Sequence, residues 1–238
     1  MSSGAPPVVA RPLFLLDYDG TLAPLAAHPA QACPHPRVPG LLRDLSRCHP
    51  VWLVSGRHLR DLSAFLPGLV LPAIGLHGAQ QGMLGGPFAS LMSKGEREAL
   101  QHLRETVPAV AGLWAEGKDS AFALHFRQAL DEAEMRRLLQ AWAAGLPEGL
   151  EAVWGHKVLE VRTRRHSKGR AVLHIADAHP GRAPVCLGDD ATDEEAFAAL
   201  EAQAAAGTLT IRVGPGATRA RYHLPDVEAA VAYLQQYL

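Results

Sequence analysis

LFLLDYDGTLAPL, residues 13–25, sets the architecture of this chain. Four apolar residues predict a buried strand, which runs directly into Asp17 and Asp19. Two like charges about 4 Å apart repel by roughly 4 kcal/mol at an effective dielectric constant near 20. A fold holds two such acids together where a cation lies between them or where one carries a proton. Both conditions suit phosphoryl transfer. The alternative is an Asx turn, in which the two acids only cap loop amides.

Two further segments also end an apolar run in polar residues. VWLVSGR, residues 51–57, ends beyond Ser55, and PVCLGDDATDEEAF, residues 184–197, passes through Asp189 into an acidic helix start. Ligands of open α/β sheets bind beyond the carboxyl ends of the strands, so we expect these polar groups to meet there.

The starts of two predicted helices add charged groups to this set. Thr192 and Glu195 have the spacing of a capping box, which places Asp193 in the first helical turn. Lys168 precedes the helical pattern of residues 169–178, so it lies near a helix N-terminus, where an anion is favoured.

The stretch between Gly82 and Thr163 follows a different pattern. Its strands alternate, with Phe122 and Leu124 on one face and His125 on the other, and it contains two amphipathic helical patterns. This predicts a small α+β unit with an antiparallel sheet that has one polar face. The loops GMLGGP (residues 82–87) and TRRHS (residues 163–167) are interpreted as its hinges.

Composition narrows the class of protein. The chain has 238 residues and a formal net charge of −1, which favours neither a nucleic-acid nor a membrane partner. It contains no apolar run of spanning length and no secretion-like leader, so we expect a soluble, cytoplasmic protein, and we expect a monomer. Residues 1–11 are expected to be disordered. No pair of histidines has metal-site spacing, so no zinc is predicted.

The ordered set of motifs resembles the haloacid dehalogenase (HAD) superfamily of phosphatases: DxDGT, then Ser55, then Lys168, then the acidic loop at Asp189. The resemblance implies an α/β fold, with a Rossmann-like, doubly wound parallel-sheet core and an inserted α/β cap domain. The predicted core covers residues 12–83 and 164–238, and the predicted cap covers residues 84–163.

Further motifs resemble trehalose-6-phosphate phosphatases over nearly the whole chain from Leu13. They are GLHG (75–78), EGK (116–118), HFR (125–127), GHKVLEVR (155–162), KG (168–169) and GDDATDE (188–194). Gln80 and Thr163 depart from the residues often seen beside two of these motifs, which puts fine substrate contacts in doubt. The implied activity is Mg²⁺-dependent hydrolysis of trehalose 6-phosphate through an aspartyl phosphate.

The resemblance also implies roles for individual residues toward a small-molecule sugar phosphate. The catalytic residues are Asp17 as nucleophile, Asp19 as acid and base, and Lys168. The phosphate-binding residues are Asp17, Thr21, Ser55, Gly56 and Lys168. The metal site draws on Asp17, the Asp19 carbonyl and Asp189, with Asp190 and Asp193 orienting its waters. The substrate-binding residues are Glu116, Lys118, Glu160, His77 and Arg127.

Several alternatives stay open at this stage. Ser55 is also a candidate helix N-cap, Asp190 a capping acid, and Arg57 a residue that only pins the loop through an ion pair with a motif acid. Glu116, Lys118 and Glu160 are equally typical of an exposed strand face with ordinary charge pairs. The rival functions are a phosphatase for sucrose phosphate or a glycosyl phosphoglycerate, and a non-catalytic regulatory module.

Overall fold

The chain folds into two sheets, each with its own helices, in a computed structural model that describes residues 4–26, 28–118, 120–155, 157–203 and 207–238. The strands are β1 Pro12–Leu16, β2 Val51–Val54, β3 Pro72–Gly75, β4 Gln80–Met83, β5 Phe88–Ser90, β6 Trp114–Lys118, β7 Ala121–His125, β8 Leu150–Gly155, β9 Val158–Thr163, β10 Ala183–Gly188, β11 Leu209–Val213 and β12 Tyr222–Leu224. The helices are α1 Val38–Cys48, α2 Leu59–Phe65, α3 Lys94–Glu105, α4 Glu132–Ala143, α5 Lys168–Asp177, α6 Ala191–Gln203 and α7 Val227–Gln235. None of these described helices is long and apolar enough to cross a membrane.

Two compact units share the chain. The core unit comprises Met1–Ser90 and Ser167–Leu238, and the inserted unit comprises Leu91–His166. The core unit is built on a sheet of eight strands in the order β12-β11-β10-β1-β2-β3-β4-β5. Strand β1 pairs in parallel with β2 on one side and β10 on the other, so its carboxyl end lies at a topological switch point.

The core sheet is covered on both faces. Every residue of β1 is buried, which explains its continuous apolar run. Phe14 and Leu16 pack in a cluster with residues of α1, α2 and α7, whereas Leu13 and Leu15 pack with residues of α5 and α6. The predicted doubly wound α/β core is therefore confirmed.

The segment GMLGGP, predicted as a hinge, lies inside the core unit. It forms the turn between β4 and β5, which pair antiparallel, and the amide of Met83 donates to the carbonyl of Pro87 at 3.1 Å. The core sheet therefore continues to Ser90, and the inserted unit begins seven residues later than the predicted boundary at residue 84. A short antiparallel hairpin at a sheet edge carries too weak a pattern to be separated from a linker by sequence alone.

Part of the N-terminal segment expected to be disordered contacts the C-terminal helix region. The hydroxyl of Tyr233 donates to the carbonyl of Pro7 at 2.9 Å, and the amide of Val9 donates to the hydroxyl of Tyr237 at 3.3 Å. Residues 7–9 are held by aromatic side chains that lie more than two hundred positions away in the chain, a type of contact that local composition does not reveal.

The inserted unit contains an antiparallel sheet in the order β6-β7-β9-β8. Phe122, Leu124 and Leu159 are buried on one face, and the ring of Phe122 contacts Trp142 of α4 edge to face. The opposite face carries Glu116, His125 and Glu160, as the strand register requires. The predicted α+β organisation, with one polar sheet face, is therefore confirmed.

Candidate active site

Asp17 follows β1 directly and is 4% exposed. Its amide donates to the carbonyl of Leu187 in β10 at 3.0 Å, which fixes the start of the loop between two central strands. Gly20 turns this loop with a φ of 68°, and a Cβ built there would lie 2.2 Å from Oδ2 of Asp189. Glycine is required here because both the conformation and the approach of the second acid exclude a side chain.

Lys168 connects the first motif acid to the acidic loop. It begins α5, is 2% exposed, and its Nζ donates to Oδ1 of Asp17 at 2.7 Å and to Oδ1 of Asp193 at 2.8 Å. Burial acts to lower the pKa of Lys168, but the carboxylates of Asp17, Asp193 and Asp190 outweigh it and hold that pKa well above its usual value. The chain thus carries a buried, fixed ammonium at the carboxyl end of β1.

Asp193 organises the acidic loop from the first turn of α6, where the sequence placed it. Its Oδ2 accepts from the amides of Asp189 and Asp190 at 3.0 and 3.2 Å, while its other oxygen meets Lys168. Both oxygens of Asp193 are therefore engaged by the protein itself. This arrangement suits a group that orients the loop and its ligands.

Asp190, and not Thr192, caps α6. Oδ1 of Asp190 accepts from the amides of Thr192 and Asp193 at 2.8 and 3.0 Å and from the Thr192 hydroxyl at 2.7 Å. The predicted capping box was wrong because the helix begins at Ala191, so Asp190 is its cap and Thr192 already lies in the first turn. Burial acts to raise the pKa of Asp190, but Lys168 and these hydrogen bonds hold it well below its usual value.

Three carboxylates converge on one point. One oxygen each from Asp17, Asp189 and Asp193 lies within 4.8 Å of the others. Among the described residues, Lys168 is the only lysine that pairs with these acids, and its Nζ also lies 3.9 Å from Oδ1 of Asp190. Burial is the main cause that raises the pKa of Asp17 to about 7 and of Asp189 to about 7, and neighbouring acids add to both shifts. The excess of negative charge and the hard oxygen donors fit a small divalent cation.

Asp19 lies outside this convergent group. Its carboxylate accepts two hydrogen bonds from Arg57, from Nε at 2.6 Å and from Nη2 at 2.7 Å. The guanidinium lies 5.0 Å from the ring centroid of Phe65 and 5.7 Å from that of Tyr18, so aromatic faces fix its plane. The ion pair considered for Arg57 is present, and its partner is the predicted acid and base.

The remaining phosphate-binding candidates also lie in the core unit. Ser55 is buried, and its Oγ accepts from the amide of Arg57 at 3.2 Å, whereas α2 is capped by His58, so Ser55 is not a helix N-cap. Thr21 is fully buried, and its hydroxyl has no hydrogen-bond partner among the described residues. A buried hydroxyl of this kind suits a bound acceptor such as a phosphoryl oxygen.

Gly56 and His77 form a close contact. A Cβ at Gly56 would lie 2.3 Å from Cε1 of the His77 ring, and the His77 amide donates to the Ser55 carbonyl at 3.1 Å. His77 therefore belongs to the phosphate-binding end of the core unit. Gln80, which departs from the family pattern, is buried nearby and accepts from the amide of Leu59 at 3.1 Å, so its role is to hold α2.

Four of the five predicted sugar-binding residues lie in the inserted unit, and one lies in the core unit. Glu116 and Glu160 lie on the same face of the inserted sheet, each opposite Ala123 in the strand register. Arg127 follows β7 and is exposed. Lys118 ends β6, but its side chain lies outside the described part of the chain. His77 belongs to the core unit, whereas the other four residues belong to the inserted unit.

Sequence reasoning did not single out Trp114. It begins β6, two residues before Glu116, and its ring stacks on His125 with centroids 4.1 Å apart. The alternation of β6 contained this signal, since residues two apart in a strand share a face.

A family model, two relatives and one solved structure that resemble this chain all indicate the same family. A family model for trehalose-phosphatases matches residues 15–228. The trehalose-6-phosphate phosphatase of Escherichia coli strain K12 is 32% identical over 241 residues, covering 97% of this chain and 88% of the relative. A probable trehalose-phosphate phosphatase of Sinorhizobium fredii is 33% identical, covering 91% and 83%. The C-terminal domain of C. albicans trehalose-6-phosphate phosphatase superposes with a TM-score of 0.75 at 25% identity, covering 95% of this chain and 91% of that chain.

Proposed function

The chain belongs to the trehalose-phosphatase family, and we propose that it hydrolyses trehalose 6-phosphate to trehalose and phosphate. One observation supports this most: the buried Lys168 bridges Asp17 and Asp193 beside Asp189, at the carboxyl end of β1. An ammonium fixed next to a potential nucleophile neutralises charge on a phosphoryl group without reorganisation during the reaction.

Two aspartates divide the chemistry. An oxygen of Asp17 forms a bond to phosphorus while the bond to the sugar oxygen breaks, and Asp19 gives that oxygen a proton. Asp19 then takes a proton from water as the water attacks phosphorus, and the Asp17 carboxylate leaves. The result is trehalose, phosphate and an unchanged enzyme. The bidentate contact with Arg57 fixes the position of the Asp19 carboxylate outside the convergent group of acids. Asp19 takes up a proton before the first step and carries one again after the second, so the cycle closes.

The phosphoryl oxygens are bound by Lys168, by the hydroxyls of Thr21 and Ser55, and by the backbone at Gly56. The buried hydroxyl of Thr21, which has no hydrogen-bond partner in the described part of the chain, supports its part in this set. Fixed donors around a small anion favour the transition state because they need not move as charge shifts between oxygens.

Mg²⁺ is the metal we propose for the convergent acids. Asp17, Asp189 and the carbonyl of Asp19 would hold it, with Asp190 and Asp193 orienting its waters. Few protein carboxylates, completed by water and phosphate, are typical of Mg²⁺ rather than Ca²⁺. When bound, it supplies positive charge that polarises the phosphoryl group and offsets the excess of acids.

The sugar hydroxyls are assigned to Glu116, Lys118 and Glu160, with contributions from Arg127 and His77. Carboxylates accept from hydroxyl donors at two oxygens, which suits a disaccharide rich in hydroxyls. The shared face of Glu116 and Glu160 supports their acting together. The cytoplasmic location and the monomeric state stay predictions from the sequence.

Phosphate release tests the function. Wild-type protein is assayed with Mg²⁺ and with chelator on trehalose 6-phosphate, sucrose 6-phosphate, glucose 6-phosphate and a glycosyl phosphoglycerate. We expect a strong Mg²⁺-dependent preference for trehalose 6-phosphate. Asp17→Asn should lower the rate of phosphate release from trehalose 6-phosphate by more than about 10³-fold. Asp44→Asn, in an exposed acid that pairs only with the neighbouring Arg47, is the matched control and should change little.

The rival functions give different results in the same assay. A preference for another ester would keep the mechanism and discard trehalose 6-phosphate as the substrate. Activity that survives Asp17→Asn would remove the proposed nucleophile. Inactivity toward the whole panel, with trehalose 6-phosphate still binding, would favour the regulatory module.

A further inference from the structure

The polar face of the inserted sheet carries an aromatic group that stands out from its surroundings. Trp114 is 50% exposed, although the other large rings of this unit pack toward the helices, as Phe122 does against Trp142. One face of the indole covers the imidazole of His125 at an interplanar angle of 16°. The indole is thus held flat by its neighbour and still presents apolar surface.

The stacked pair is held in place by a carboxylate. Nε2 of His125 lies 2.9 Å from Oε2 of Glu116, and the side chain of His125 is only 19% exposed. The imidazole therefore has two neighbours that fix its plane, the indole on its face and the carboxylate at its edge. An indole resting on a fixed plane loses little conformational entropy when a ligand covers it.

A small residue, Ala123, lies beside this pair, in the same strand as His125. Ala123 is opposite both Glu116 and Glu160 in the register, so the two glutamates stand on the strands either side of an alanine methyl. Strand spacing separates the two backbones by roughly 9.5 Å. The row formed by Glu116, Ala123 and Glu160 is therefore a shallow trough with an acceptor at each side.

These features match the shape of a pyranose ring. Such a ring has a face of C–H groups and a rim of hydroxyls, so it needs a flat apolar surface beneath it and acceptors at its edge. Binding sites for small molecules commonly combine aromatic surface with a few placed polar groups. A purely structural cross-strand pair would stabilise the sheet without needing half of a tryptophan in solvent.

We propose that Trp114 is a specificity-determining residue that stacks on a pyranose ring of the substrate, whose hydroxyls bind Glu116 and Glu160. This inference rests on the proposed function, because it assigns a residue to the sugar half of the same substrate. It adds an apolar contact that selects for a sugar ring and contributes nothing to the reacting phosphoryl group.

Steady-state kinetics of Trp114→Ala and Trp114→Phe test the inference. With trehalose 6-phosphate, Trp114→Ala should raise KM about ten-fold while kcat stays within about two-fold, and Trp114→Phe should recover most of the loss. Turnover of acetyl phosphate, which has no sugar, should not change. Trp142→Phe, in a residue on the helix side whose Nε1 donates to Thr106, is the matched control. Thermal unfolding of each variant checks that the sheet is intact.

Calorimetric measurement of trehalose binding separates the inference from the proposed function. Weaker trehalose binding in Trp114→Ala than in Trp142→Phe supports the inference whatever the wild type hydrolyses. An unchanged KM and unchanged trehalose binding in folded Trp114→Ala overturn it, even if the wild type hydrolyses trehalose 6-phosphate. If the wild type prefers a different sugar phosphate, the proposed function fails, and the same comparison of variants on that ester decides the role of Trp114.

Discussion

The two units hold their candidate functional groups in opposite ways. In the core unit Asp17, Lys168 and Asp193 are each at most 4% exposed and contact one another directly. In the inserted unit the side chain of Glu116 is 50% exposed, and so is Trp114. Buried charges at close range have large energies that water does not screen, whereas exposed groups contribute small, replaceable contacts. The proposed function accordingly assigns the chemistry to the core unit and the discrimination between sugars to the inserted unit.

Loss of Lys168 should have the largest effect. Lys168→Met leaves Asp17 and Asp193 buried without their cation, so we expect phosphate release to fall by at least about 10³-fold and the free energy of unfolding to fall by about 3–5 kcal/mol. Denaturant unfolding and phosphate release measure the two effects. Lys94→Met, in an exposed lysine paired with Glu98, is the control.

A second variant separates stability from activity at this position. Adding Asp193→Asn to Lys168→Met removes one uncompensated charge and should restore part of the stability while activity stays low. If stability and activity recover together in the double variant, Lys168 acts through folding alone. The core unit would then hold no more of the chemistry at this position than the inserted unit does.

Arg57 comes next. Arg57→Ala removes both donors to Asp19, and a general acid and base contributes about 10²–10⁴-fold in rate, so mispositioning it should lower kcat by about ten-fold or more with little change in KM. Arg57→Lys should recover only part because a lysine cannot form the bidentate contact. Arg60→Ala, in an exposed neighbour, provides the comparison. An equal rise in KM would instead assign Arg57 to substrate binding.

Stability in the absence of metal should depend on pH. The pKa values of Asp17 and Asp189 are raised to about 7 in the folded protein from 3.8, so the folded state binds more protons between those values. The free energy of unfolding must then fall as pH rises from about 4 to about 7, with a drop in Tm of roughly 10 °C or more.

Calorimetric scans with chelator and with Mg²⁺ measure this dependence. Mg²⁺ should raise Tm more at pH 8 than at pH 5, because the acids that bind it are then ionised. Asp189→Asn should flatten the profile. A Tm that increases from pH 5 to pH 8 in chelator would contradict the raised pKa values.

The smallest effect should follow from the inserted unit. Glu160→Gln keeps the shape and one acceptor but loses the charge, so we expect KM for trehalose 6-phosphate to rise by about three- to five-fold, with kcat nearly constant. Glu148→Gln, in an exposed glutamate outside the trough, should leave both values unchanged. A large fall in kcat for Glu160→Gln would mean that the inserted unit takes part in the chemistry, which would remove the division between the two units.

The sequence predicts the core unit better than the details of its loops. The apolar run of β1 and the order of the motifs bring Asp17 and Asp189 together, because parallel strands end at one edge of the sheet. Lys168 joins them from the N-terminus of α5. The cap of α6 was assigned wrongly to Thr192, since Asp190 and Thr192 both have capping side chains and only the loop conformation selects between them. The partner of Arg57 was similarly left open, because several acids lie within its reach in a linear chain.

The inserted unit shows a different limit. Alternation correctly assigns Phe122, Leu124 and His125 to their faces, since the period of a strand is two residues. The exposure of Trp114 was not predicted: alternation places it on the face of Glu116, two residues away, but only the packed structure reveals that half of it meets solvent. The β4–β5 hairpin was missed for a comparable reason, since its three-residue strand carries little periodicity.

Gly20 and Gly56 bear on how far this protein tolerates change. Neither carries a reactive atom, yet a single methyl group at Gly20 would meet the Asp189 carboxylate and one at Gly56 would meet the His77 imidazole. At Gly20 the positive φ and the Asp189 carboxylate together leave room for glycine alone, and at Gly56 any side chain would require the His77 ring to move. The chain therefore depends on two positions that contribute no side chain to the reaction. A library that aims at a new substrate can vary the exposed face of the inserted sheet widely, provided that it leaves both of these glycines untouched.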